Sequence, residues 1–208
     1  MGLLLIGGGG HCRAAIDVIE EAGMSIAGVL DRRDSELTEV LGHPVLGSDD
    51  DLPELVARYG EALVTIGQIK SPAARIRAFE AAIGAGARLP CVISPRAHVS
   101  RHATVGEGTL VMHGAVVNAA AHVGRNVILN SLTLVEHDAR VGDHCHISTG
   151  ARVNGDVSID ERCFIGSGAV LKNGVRIGKG SVVGAGCFIY DDVPEGSFVT
   201  ATPERIRS

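Results

Sequence analysis

The sequence predicts two architectures in one chain of 208 residues: a small Rossmann-like α/β domain over residues 1–90 and a parallel β-helix over residues 91–208. Three observations predict them. Residues 97–192 divide without a gap into sixteen hexads, each with Val, Ile or Leu third and Ala, Thr, Val, Cys or Ser first. Residues 3–31 read as strand, Gly-rich turn, helix, strand. The composition is 45% hydrophobic but only 3% aromatic, with no Trp and 28 Gly, so aliphatic side chains must fill any core between many tight turns.

In chain order, the apolar run at residues 3–6 predicts a first strand, followed by Gly7, Gly8, Gly9 and Gly10 and a helix over residues 12–21. A second strand is expected at residues 26–31, a third at 63–66 and a further helix at 73–83. Strands alternating with helices imply a parallel sheet. Gly-rich backbone at a helix N-terminus suits a phosphate, because free N–H groups and the helix dipole both favour an anion. Gly8, Gly9, Gly10 and His11 are therefore candidate binding residues. Asp31 closes the second strand, where a carboxylate can accept hydrogen bonds from a ribose or base, and Arg32 follows it. The dinucleotide fingerprint fails, because Cys12 or Arg13 stands where its third Gly belongs. That disfavours NAD.

The hexads predict the rest of the chain. In a strand, residues two apart face the same side, so first and third positions point inward and the second points out. The remaining Gly, Asn, Asp, His and Ser tolerate turn conformations. Each hexad is one strand and one corner, three hexads close a coil of 18 residues, and coils stack by backbone pairing. Cys145, Cys163 and Cys187 occupy first positions and are expected as small core residues. With Cys12 and Cys91 they make an odd number without a CxxC pair, which argues against disulfides and a zinc knuckle.

The formal charge of -5 and the lack of a basic run exclude a nucleic-acid surface. No stretch approaches the length needed to cross a bilayer, and residues 3–6 have no basic leader, so a cytoplasmic protein is expected. Among the chemistry-bearing residues, TLVEHD places His137 at a corner, away from the aliphatic interior, with Glu136 and Asp138 beside it to fix its tautomer. A corner histidine is more often only a solvated side chain, and that is the expectation for His98, His102, His113, His122 and His144. A β-helix serving only as a scaffold is the bland alternative.

The pairing of GGGGH and its helix with the acidic end of the second strand, VISPRAHVS at the junction and the hexads beyond resembles the hexapeptide-repeat acyltransferases. The resemblance is to the branch of nucleotide-4-amino-sugar N-acetyltransferases and sialic acid O-acetyltransferases. It implies a left-handed coil, a homotrimer with sites between subunits, acetyl-coenzyme A as co-substrate and a nucleotide sugar bound by the first domain. It also implies a role in bacterial surface glycan biosynthesis. Similar enzymes carry a catalytic His in the context Val-Glu-His-acid, with a second His nine residues on. The resemblance thus assigns His137 as general base, Asp138 as its orienting carboxylate, Asn130 to the sugar, and His146, Gly155 and Ala185 to acetyl-coenzyme A. Gly155 lies eighteen residues, one coil, beyond His137. The implied reaction is acetyl transfer to the 4-amino group of a UDP- or GDP-linked amino-deoxy sugar; O-acetylation of a sialic or nonulosonic acid is the alternative. Some hexapeptide prisms resemble zinc-binding γ-class carbonic anhydrases, but no prism His here has their five-residue or coil spacing, so no metal is expected. Near the C-terminus the family's Gly-x-Pro-Ala-Lys is replaced by Ala201, Thr202, Pro203, Glu204 and Arg205.

Overall fold

The structure, a computed structural model, describes residues 2–68 and 71–200. The departure at Ala201 to Arg205 lies outside the described residues. The first domain runs β1 Leu3–Ile6, α1 Gly10–Glu21, β2 Ile26–Asp31, β3 Glu39–Val40, β4 His43–Ser48, α2 Leu52–Tyr59, β5 Ala62–Val64 and α3 Ala73–Gly84. Its sheet has the order β3-β4-β2-β1-β5, parallel except for the β3–β4 pair. Residues of β1 alternate between its two faces as the period of two requires. Leu3 and Leu5 pack with Ile16 and Ile19 of α1, and Leu4 and Ile6 pack with Val56 of α2 and Phe79 of α3.

Two elements here carry weak sequence signals. Strand β4 contains Pro44 and Gly47 and has no clean alternation of apolar and polar residues, so its place beside β2 is fixed by the sheet. Helix α2 is only eight residues long. Its ends are nonetheless marked, by the Ser48–Asp51 capping box just ahead of it and by Gly60 in the left-handed conformation behind it.

The rest is a left-handed β-helix of eighteen two-residue strands among the described residues, from β6 Val92–Ile93 to β23 Phe198–Val199. Successive strands take successive faces of a triangular prism, so Val116 pairs with Leu134 and Leu134 with Arg152, one coil apart. We call the seven-stranded sheet that begins with β6 face one, the six-stranded sheet that begins with β7 His98–Val99 face two, and the five-stranded sheet that begins with β8 Thr104–Val105 face three. First and third positions form the interior, an aliphatic column of Ala, Val, Ile and Leu with Cys145, Cys163 and Cys187 among them, all three thiols free.

Corners are made by the sixth residue of each hexad, which has positive φ at every coil position from Gly108 to Gly186. Gly, Asn and Asp suit this conformation, but Leu132 also adopts it at φ 61°, a placement that costs about 1–2 kcal/mol. Pairing is already present one hexad before the sequence repeat, with Val92 against Leu110. At the other end the period shortens, because Val193 bridges Ile177 and Phe198 pairs with Val182, each sixteen residues on instead of eighteen. The sixteenth hexad, CFIYDD, therefore keeps its strand but not its full corner.

Face one carries the first domain. Its outward residues Val92 and Leu110 join the cluster of Cys12, Ile16 and Ile19 from α1. His113 bonds Asp17 of α1 at 2.8 Å and the Ser94 hydroxyl at 2.7 Å, and Arg96 pairs with Glu21. His144 is buried against Phe79 of α3 and bonds the Asn126 amide at 3.0 Å. The expectation that His113 and His144 are merely solvated is thus corrected: both are docking residues at the domain junction. Sequence cannot show this, because the partner helices lie 65 to 96 residues away in the chain.

Candidate active site

A cavity of about 760 Å³ lies between the carboxyl ends of β1, β2 and β5 and face one of the prism. Its walls include Gly9, Gly10, His11, Asp31, Arg32, Asn130 and His146, so seven of the predicted residues converge there. Helix α1 opens onto it with Gly9 as N-cap and no side-chain cap, leaving its first N–H groups for a ligand. Gly7 turns the chain at φ 105°, where a Cβ would strike Ile66. A Cβ on Gly9 or Gly10, by contrast, would meet no protein atom within 4 Å. The space before them is open to a ligand.

Gly8 sits behind this wall. Its N–H donates to Asp31 at 3.3 Å and the Ser35 hydroxyl donates to the other Asp31 oxygen at 2.7 Å. Burial would push the Asp31 carboxyl up, but these bonds and the Arg32 N–H outweigh it and hold the carboxyl below its ordinary value. Asp31 therefore braces the Gly-rich turn as a charged acceptor.

On the cavity floor stand two histidine rings, His11 and His146, with centroids 6.3 Å apart. Burial first, and then the charge of Arg75, brings His11 down to about 4; its buried Nε2 has no partner among the described residues. His146 is likewise brought to about 4, mainly by burial. Both are neutral at pH 7. His146 Nδ1–H donates to the Gln68 carbonyl at 2.8 Å, and its Nε2 lies 3.2 Å from the Asn130 amide nitrogen. Sequence reasoning missed Thr65, Gln68, Asp49, Leu52 and Arg77 in these walls. Thr65 and Arg77 lie on the expected third strand and last helix but carry no motif, and Asp49, Leu52 and Gln68 lie on segments with weak local signals; a charged residue on the apolar face of α3, Arg75 with Phe79 and Ala82, was a usable signal.

His137 stands elsewhere, exposed at the corner between faces two and three. Its Nδ1–H donates to Asp138 at 2.8 Å, so in the neutral ring Nε2 is the unprotonated nitrogen. The Asp138 hydrogen bond chiefly raises the His137 pKa above its ordinary value, slightly opposed by desolvation and helped by the charges of Asp138, Glu136 and Asp156. Gly155 lies one coil on: a Cβ there would come 2.8 Å from His137 Cε1 and 2.9 Å from Nε2. Only glycine leaves the notch beside the ring clear. Ala185 belongs to the other edge of face two, the corner with face one that also carries Asn130. Within one chain, then, His137, Asp138 and Gly155 form one group, and the cavity, Asn130, His146 and Ala185 form another. Among the described residues no cluster of three or more His, Cys, Asp or Glu is placed to hold a metal, and no helix is long and apolar enough to cross a membrane.

Comparison with known proteins bears on both parts. The PglD N-terminal domain family matches residues 2–81, and the hexapeptide repeat of succinyl-transferase matches residues 156–191. No curated protein sequence matches. PerB from Caulobacter crescentus, solved with CoA and GDP-perosamine, is 34% identical over 100% of this chain and 98% of its own, with a TM-score of 0.89. The acetyltransferase domain of PglB from Neisseria gonorrhoeae is 32% identical over 97% of each chain, with a TM-score of 0.88. WeeI from Acinetobacter baumannii is 25% identical over 99% of each chain, with a TM-score of 0.86. Full-length agreement in sequence and fold, together with the uncapped helix terminus at the cavity and the hexad prism, shows that this chain belongs to the acetyl-coenzyme A-dependent sugar N-acetyltransferases built on hexapeptide repeats.

Proposed function

We propose that the protein transfers acetyl from acetyl-coenzyme A to the 4-amino group of a UDP- or GDP-linked amino-deoxy sugar, with His137 as general base, in a homotrimer. The domains are residues 1–90 for the nucleotide sugar and 91–208 for acetyl transfer, and the enzyme works in the cytoplasm for surface glycan synthesis. One observation carries the reading. The cavity and His137 flank opposite edges of face two, which the first domain does not cover and which turns Val116, Leu134, Val170 and Phe188 outward together with His98 and Arg152. Leu132 and Tyr190, 67% and 61% exposed, stand at its two edges. Three prisms with this face turned to a common axis bring the His137 edge of each against the Asn130 edge of the next. Closed threefold symmetry then completes each site from two subunits.

In this arrangement the diphosphate lies on the α1 N-terminus at Gly9 and Gly10, and the sugar reaches Asn130 and His11. His137 Nε2 of the neighbouring subunit takes the proton from the amine as nitrogen attacks the thioester carbon. Asp138 stabilises the imidazolium, the Gly155 N–H is offered to the carbonyl oxygen as charge develops on it, and collapse of the tetrahedral intermediate breaks the C–S bond while the imidazolium returns the proton to the coenzyme A sulfur. Acetyl-coenzyme A occupies the crevice between the Gly155 edge of one subunit and the Ala185 edge of the next. His146, with both ring nitrogens engaged and its ring buried, has no free atom for the coenzyme; we reassign it from donor contact to support of Asn130.

The glycine wall gives a direct test. Because a side chain at Gly9 meets no protein atom, Gly9→Val should fold and assemble normally while raising KM for the nucleotide sugar at least tenfold, with KM for acetyl-coenzyme A unchanged. Steady-state kinetics against both substrates checks it; equal effects on both would remove the phosphate from this helix terminus.

Asp138→Asn tests the base through pH. Histidine acts as a base only when neutral, so a raised pKa places the acidic limb of the kcat/KM profile above that of an ordinary histidine. Removing the Asp138 charge lowers the His137 pKa, so the limb should move to lower pH while the plateau falls. Asn keeps the left-handed backbone that residue 138 needs. An unmoved limb would mean that His137 is not the titrating base.

A further inference from the structure

Arg75 in α3 does not line the cavity and is 1% exposed, yet no carboxylate pairs with it among the described residues. Its guanidinium donates instead to carbonyls of the prism, at Asn126, at His144 (2.5 Å) and at Cys145 (3.4 Å). The same group donates to the Gln68 side-chain oxygen at 2.6 Å. Burial brings Arg75 down only to about 10, so it stays charged at neutral pH. A buried cation without a counter-ion is costly and calls for a role that a packed aliphatic residue cannot fill.

The bonds lead from Arg75 to the cavity. Arg75 fixes Gln68. With its side chain held, Gln68 presents its main-chain carbonyl to Nδ1–H of His146, so the Nε2 of this neutral ring must be an acceptor and takes a hydrogen from the Asn130 amide at 3.2 Å. On its other side the Asn130 carbonyl oxygen accepts the Ser131 N–H at 2.8 Å, so the amide cannot flip. Its second N–H is left for a ligand in the cavity.

We propose that Arg75 is a positioning residue which, through Gln68 and His146, sets the orientation of the Asn130 amide toward the bound sugar. This rests on the proposed function for the claim that the ligand is a sugar, but not for the relay itself. Arg75→Lys keeps the charge and loses the planar fork that makes several bonds at once. In the intact enzyme it should lower kcat/KM for the nucleotide sugar roughly tenfold and leave KM for acetyl-coenzyme A unchanged. In an Asn130→Ala background the same change should cost less than about twofold, because the end of the relay is already gone. Multiplicative losses in the double variant would overturn the proposal.

A second readout needs no activity. The 15N imidazole resonances of His146 should show the neutral Nδ1–H tautomer in the native protein and a mixture of tautomers in Arg75→Lys; an unchanged tautomer would overturn the relay. If no nucleotide sugar is acetylated, the proposed function fails while this measurement still decides the relay. Should Arg75→Lys not fold, Gln68→Glu, which keeps an acceptor for Arg75, must retain the His146 tautomer that Gln68→Ala loses. Equal behaviour of the two Gln68 variants would likewise overturn it.

Discussion

His137→Ala is expected to lower kcat by roughly a hundredfold to ten-thousandfold, the contribution of a positioned general base. The amine must shed a proton as nitrogen bonds to the thioester carbon, and His137 Nε2 is a free imidazole lone pair held in register by Asp138. Its ring is exposed and lies outside the aliphatic interior, so the fold and the trimer should persist. The loss should appear in kcat with little change in either KM, measured by coenzyme A release under saturating substrates. Retained turnover in a well-folded His137→Ala trimer would transfer the reaction to an already neutral amine, held by Asn130 and the Gly155 backbone.

The second large effect concerns assembly. Leu134 sits mid-face on face two, between Val116 and Arg152 in the ladder, and a lysine there would bury a second cation beside Arg152 if three such faces converge. Leu134→Lys should convert a particle of three times 21.5 kDa into a monomer. On the proposed division of each site between subunits, activity should fall to background while the monomer keeps its prism, because the substituted side chain points away from the interior. Light scattering and circular dichroism together check this. A fully active monomer would place cavity and base on one chain.

The prism was legible because its signal is local: every inward residue is announced within six positions, and sixteen repetitions leave one frame. The turn at Gly7 to Gly10 and the His137–Asp138 pair were legible for the same reason, each being contiguous in sequence. The face that carries the first domain was not read, although Leu110 and Ile128 mark it as apolar second positions eighteen residues apart. That longer period is interrupted by His146 in the same column. Arg75 and Gln68 were hidden because their prism partners lie 51 to 78 residues away, main-chain carbonyls for Arg75 and the His146 ring for the main-chain carbonyl of Gln68, and backbone acceptors have no sequence signature. His146, nine residues from His137, was read as its companion on the coenzyme side. Nine residues are half a coil, so the two side chains leave the prism from different sides.

The central claim, that each site joins the cavity of one subunit to His137 of the next, is tested most directly by subunit complementation. Gly9→Val and His137→Ala chains, each weakly active alone when assayed at nucleotide sugar well below the native KM, are co-expressed in equal amounts and purified as mixed trimers through distinct tags. In a closed ring of three, every mixed trimer, whether two-to-one or one-to-two, pairs an intact cavity with an intact neighbouring His137 at one of its three sites. The account predicts recovery to about a third of native activity on that basis. Mixed trimers no more active than either parent would contradict it.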